Sequence, residues 1–132
     1  MTKVSLLVFL LWAGKAAVEA HVALTFPPAR YPPLDFLDNA RTTPPCGVPR
    51  PQAATFTTLY TNTPYNMTWR MQYPHQGGYR LTLLDATGRQ LQALTRPSAS
   101  SQAGFSGLED QTAQESDGII FQQPCPQCTV RL

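Results

Sequence analysis

Residues 66–85 read NMTWRMQYPHQGGYRLTLLD, and their pattern decides the fold. Over residues 66–73 the side chains of Met67, Trp69, Met71 and Tyr73 alternate with Thr68, Arg70 and Gln72. A period of two puts the first set on one face of an extended strand and the second set on the other. Residues 78–85 repeat the pattern, with Tyr79, Leu81 and Leu83 on one side. Between them lies Pro74-His75-Gln76-Gly77, whose Pro and Gly predict a hairpin-type connection.

The same texture extends in both directions. Residues 55–60 are β-branched and aromatic and predict a strand. Asp85-Ala86-Thr87-Gly88 predicts a turn, followed by a strand over residues 89–94. A Ser/Gly/Ala-rich loop spans residues 96–107, and residues 118–122 and 128–132 supply the last strands. Residues 21–26 start the domain as a strand. Short strands separated by turns predict an all-β chain, an antiparallel β-sandwich. Thirteen prolines and eight glycines argue against long helices. Pro27, Pro28, Pro32, Pro33, Pro44, Pro45, Pro49 and Pro51 mark an irregular segment that no central strand can occupy. Phe26, Tyr31, Leu34, Phe36 and Leu37 are its apolar anchors. No internal repeat is present.

The N-terminus has a different composition. Lys3 precedes an apolar run over residues 4–13, and Val18-Glu19-Ala20 supplies a small-residue cleavage site. This is the pattern of a removed signal peptide over residues 1–20, too short to span a bilayer as a helix. Ala17 is a competing cleavage position. One domain, residues 21–132, then remains as a secreted, extracellular protein with no membrane span. Lys3 and Lys15 leave with the signal, so eight arginines face seven acidic residues. That balance carries no clustered basic face for nucleic acid.

Cys46, Cys125 and Cys128 meet an oxidising compartment in a secreted chain. Three cysteines allow three pairings and at most one internal bridge. Cys125-Pro126-Gln127-Cys128 has redox-dithiol spacing, but no βαβ pattern surrounds it. A structural bridge from Cys46 to Cys125 or Cys128 is the expectation, leaving one thiol without an internal partner. Asn66-Met67-Thr68 is a glycosylation sequon, whereas Asn62-Thr63-Pro64 is not.

Cleavage after Ala20 would make His21 the first residue. It would then offer its α-amino nitrogen and its ring Nδ1, and the ring of His75, the other histidine of the chain, would complete a T-shaped set of three nitrogens. Such donors suit one Cu(II) ion; zinc fits by ligand type, but the Irving–Williams order favours copper. With both histidines so used, no Ser-His-Asp arrangement remains. Asp35 and Asp38 read as turn residues in a Pro-rich loop rather than as a glycosidase pair. No Gly motif that would cradle phosphate is present.

These residues carry a family resemblance. A signal ending directly before His21, the run His21-Val-Ala-Leu-Thr-Phe-Pro-Pro-Ala-Arg30, and Pro45-Cys46-Gly47 resemble lytic polysaccharide monooxygenases, the chitin-binding type-4 proteins in the broad sense. The likeness is nearest to their copper-acquisition relatives, best known from fungi, and residues 35–42 resemble the segment that follows in them. The resemblance implies an immunoglobulin- or fibronectin-like β-sandwich, with His21 and His75 as a copper histidine brace. Members of the family continue beyond the strand that corresponds to residues 128–132. They add one or two strands, a further cysteine and, in the copper-acquisition group, an aspartate near the metal. The resemblance therefore implies a sandwich without its last strand or strands.

Three functions follow in order of preference. The first is copper capture or delivery without polysaccharide activity. The second is a copper-dependent monooxygenase acting on chitin or a related polysaccharide, with Tyr31, Tyr73 and Tyr79 available for a binding surface. The third is a secreted structural or interaction module with an incomplete metal site. An enzymatic role is left open by this reading.

Overall fold

Strand β2, Pro64–Met71, organises the structure, a computed structural model that describes residues 22–30, 51–74, 76–96 and 105–132. Its alternation is realised. Met67, Trp69 and Met71 are buried, while Asn66 and Arg70 are exposed and Thr68 is half-buried. Tyr73 lies past the strand end and is exposed. Strand β1, Val22–Phe26, and strand β7, Ala113–Ile120, flank β2 in the order β1-β2-β7, both antiparallel to it.

Beyond β2 the chain leaves this sheet. Strand β3, Gly78–Tyr79, pairs with β6, Ser106–Gly107. Strand β4, Thr82–Leu84, is the centre of a second three-stranded sheet between β5, Gln90–Ala93, and β8, Thr129–Arg131. All pairings are antiparallel, and no helix occurs among the described residues. One buried cluster draws on both three-stranded sheets: Met67, Trp69 and Met71 from β2, Leu81 and Leu83 around β4, and Ile119 and Phe121 around β7. Val130, Leu91 and Leu132 pack against it from the second sheet. Burial of these large apolar side chains is the main favourable term for folding.

Several expectations are corrected. Residues 74–77 do not close a hairpin between β2 and β3, because β3 pairs with β6 and the connection crosses from one sheet to another. Residues 78–85 form two short strands with different partners rather than one strand. Residues 55–60 are not a strand. The Tyr60 N–H there donates to the Tyr65 hydroxyl (2.7 Å), a side chain, and Phe56 and Tyr60 are exposed. A segment with strand propensity but no ladder partner stays irregular. β7 starts five residues earlier than its sequence suggests, because pairing with β2 outweighs the weak strand propensity of Ala-Gln-Glu-Ser-Asp-Gly.

The cysteine pairing also differs from expectation. Cys125 and Cys128 are bonded to each other, with Cα atoms 5.7 Å apart across the turn that precedes β8. The bridge therefore closes within the CxxC spacing instead of reaching from Cys46, which lies outside the described residues. A turn over Pro126 and Gln127 brings the two Cα atoms within normal bridging distance. Both histidines, the expected signal segment, Tyr31, Asp35 and Asp38 also lie outside the described residues.

The expected turn after β4 is present and is held by Asp85. Its carboxylate accepts from the Thr87 hydroxyl (2.6 Å), the Thr87 and Arg89 backbone N–H groups (2.8 and 3.0 Å) and Arg89 Nε (3.3 Å). The Thr87 hydroxyl, with the Arg89 and Thr87 amides, lowers its pKa to about 2. Gly88 closes the turn with φ of 84°, which an L side chain adopts only with strain.

Thr82 breaks the otherwise apolar run of β4. It is 1% exposed, and its Oγ1 has no hydrogen-bond partner among the described residues. A buried hydroxyl without a partner carries its desolvation cost uncompensated. Replacing Thr82 by Val substitutes a methyl group for that hydroxyl. We expect Thr82→Val to stabilise the protein by about 1 kcal/mol, raising the melting temperature by roughly 4 °C. Thermal denaturation followed by circular dichroism checks this; a lower melting temperature would mean that the hydroxyl is satisfied in solution.

Candidate metal-binding region

The antiparallel register of β1 and β2 defines one end of the first sheet. Val22 pairs with Met71, so the chain enters β1 where it leaves β2. Position 21 adjoins Val22, and position 75 lies in the connection that follows Met71. The two histidine positions are thus attached to the same end of one strand pair, although His21 and His75 themselves are outside the described residues.

The connection carrying position 75 is tied down on both sides. Before it, the Met71 N–H donates to the Thr112 carbonyl (2.8 Å). After it, the Gly77 carbonyl accepts from the Leu108 N–H (3.1 Å), and Gly78 pairs with Gly107. Gly78 allows this approach, because a Cβ there would lie 2.6 Å from the Ser106 carbonyl oxygen and 2.8 Å from Phe105 Cβ. The 108–112 turn is braced in its turn by Gln114, which is 5% exposed. Its Oε1 accepts from the Glu109 N–H (3.2 Å), and its Nε2 donates to the Glu109 and Gln111 carbonyls (2.7 Å each). No sequence motif marks Gln114; an isolated Gln inside a polar run carries no signal of burial.

Electrostatics at this end are modest. Glu109 and Asp110 are exposed on the turn, and Gln111 Nε2 donates to Glu109 Oε2 (2.7 Å). Among the described residues no three His, Cys, Asp or Glu side chains cluster closely enough to hold a metal ion. His21 and His75, the expected copper ligands, lie outside the residues so described. The shift at Asp85 has a structural cause in its own turn, so it does not mark a catalytic acid.

The tyrosines named as surface candidates separate. Tyr79 is half-buried, its ring 4.5 Å from that of Trp69 between centroids and tilted by 52°. It belongs to the core. Tyr73 is 62% exposed, two residues beyond β2. Tyr31 lies outside the described residues. Asn66, the sequon residue, is exposed on β2.

Among the described residues no helix is long and apolar enough to cross a membrane. Comparison with protein-family models, with curated proteins and with solved structures finds no match for this chain.

Proposed function

We propose that this protein is a secreted copper-binding protein, processed after Ala20, in which His21 and His75 form a histidine brace for copper capture or delivery. The fold assigned to it is the immunoglobulin- or fibronectin-like sandwich of the lytic-monooxygenase-like copper proteins. The observation that carries the reading is the β1–β2 register: pairing of Val22 with Met71 attaches positions 21 and 75 at the same end of the sheet. Parallel pairing of the two strands would have separated them along the strand length.

The residues that would hold the metal are His21, through its α-amino and ring nitrogens, and His75, through its ring. A bound Cu(II) would supply redox chemistry at that end of the sheet. The chain's own part is to present neutral nitrogens. The α-amino group and both imidazoles must be deprotonated to bind, so affinity falls as pH drops below about 7. Tyr79 packs into the core, which leaves Tyr73 as the one exposed member of the three named tyrosines among the described residues.

The test uses the secreted protein. Its N-terminus is sequenced, and Cu(II) is titrated into wild type and His75→Ala with electron paramagnetic resonance as the readout. We expect a chain that begins at His21 and a loss of about 100-fold or more in affinity in the variant. Removing groups that merely support a ligand already costs about 10–100-fold. Cleavage elsewhere, or copper binding indifferent to His75, would overturn the brace. Oxidised sugar products from chitin or another polysaccharide would replace capture by the monooxygenase reading.

A further inference from the structure

The outer face of the β1-β2-β7 sheet is polar at its centre. Asn66, Thr68 and Arg70 project from β2 opposite to the buried Met67, Trp69 and Met71. Asn66 is exposed, and its Nδ2 donates to Glu115 Oε2 on β7 (3.0 Å). Thr68 Oγ1 shares a 2.6 Å hydrogen bond with Thr25 Oγ1 on β1. The full sequence has three asparagines, Asn39, Asn62 and Asn66, and only Asn66 is followed by a hydroxyl residue two positions on.

Asn66 also sits where the ladder is interrupted. Tyr65 pairs with Ile119 and Met67 with Ser116, so Asp117 and Gly118 bulge opposite Asn66. Gly118 has φ of 67°, and a Cβ built there would meet no atom within 4 Å. The neighbouring strand is therefore open beside the Asn66 amide. A large hydrophilic group on Nδ2 would displace one exposed hydrogen bond, that to Glu115, and would not enter the core.

We infer that Asn66 carries an N-linked glycan, which covers the outer face of this sheet at its central strand. The inference rests on the secreted reading above, because the glycan donor is met only on the secretory route. In the transfer, the Asn66 Nδ2–sugar C1 bond forms and the C1–oxygen bond to a polyprenyl diphosphate carrier breaks. The amide loses one proton, and the carrier diphosphate leaves with the bonding electrons. No oxidant or reductant is needed. The glycan marks this face as solvent-facing, so the sheet meets neither a second copy nor a further sheet there.

The full chain is expressed in secreting eukaryotic cells, and its mass is compared before and after enzymatic N-glycan release, with protease protection of the vesicle fraction as a parallel readout. We expect one glycan, with Asn66 converted to Asp on release. Asn66→Gln and Thr68→Ala should lose it. Thr68→Ser should retain it, which separates loss of the acceptor from misfolding. Protein that enters the vesicles and runs at its bare polypeptide mass, or carries its glycan elsewhere, overturns the inference and leaves secretion standing. Protein that is never protected from protease overturns both, and the protection readout assigns that failure to the secreted reading.

Discussion

Trp69→Ala is expected to destabilise the protein by about 3–5 kcal/mol. Trp69 is 2% exposed and sits on β2, the central strand of its sheet. Its ring packs on Tyr79 from the segment that links the two larger sheets, so truncation leaves a cavity where they meet. The neighbours Met67 and Leu81, each fully buried, are held by separate backbone ladders or hydrogen bonds and cannot collapse into the space. Domains of this size are typically stable by about 5–15 kcal/mol, so the variant should be at the edge of unfolding. Urea denaturation followed by tryptophan-independent far-ultraviolet circular dichroism measures the loss. Tyr73→Ala is the control: at 62% exposure it should change stability by about 0.5 kcal/mol or less. Equal losses in the two variants would show that Trp69 is not the centre of the core.

The alternation that predicts β2 survives in the structure because one of its faces is buried and the other is not. The same logic fails for residues 78–85. There Leu81, Thr82, Leu83 and Leu84 are all buried, so period two no longer separates inside from outside. Nor does alternation name a partner: β3 and β4 share a continuous sequence pattern yet join different sheets. Residues 55–60 show the opposite error, with strand-like side chains and no ladder to join. The turn at Asp85 was legible because its chemistry is local, with acceptor and donors lying within four residues. The cysteine pairing was not, because CxxC spacing is compatible with both a closed local bridge and a distant one. For the candidate site, the two histidine positions are evident from the sequence, and the register that brings their attachment points to one end is not. That register depends on which strand β1 selects, a long-range choice. Gln114 illustrates the remaining gap: its importance comes from burial beside a turn, and no residue pattern encodes it.

Gln114→Glu should be among the most damaging isosteric changes in the chain, and its effect should depend on pH. The wild-type side chain is oriented without ambiguity by its partners. An N–H from Glu109 requires an oxygen at one position, and two carbonyls require a nitrogen at the other. A carboxylate keeps the first contact and turns the second into an anionic oxygen facing two carbonyl oxygens. Two part-buried carbonyls lose this donor, although that of Glu109 keeps the Gln111 N–H (2.9 Å), and a charge is held at a residue 5% exposed. The combined cost is about 3–5 kcal/mol at neutral pH. Burial and the facing carbonyls raise the folded-state pKa of the introduced Glu above its unfolded value of about 4.3. The penalty is therefore full above the folded pKa, shrinks as pH falls, and is smallest below the unfolded value, where a protonated carboxyl donates to one carbonyl. Comparison must be made with wild type at each pH, because Asp85, with its pKa lowered to about 2, itself loses stabilisation as pH falls from about 4 towards that value. Urea midpoints at pH 4 and pH 7 supply the measurement, and a penalty independent of pH would sink the carbonyl-facing geometry. Because the Gln114-braced turn holds Gly77 through Leu108, the same variant should also loosen the connection that carries His75. Weaker copper binding at pH 7 in folded Gln114→Glu protein would then tie the proposed copper site to this turn.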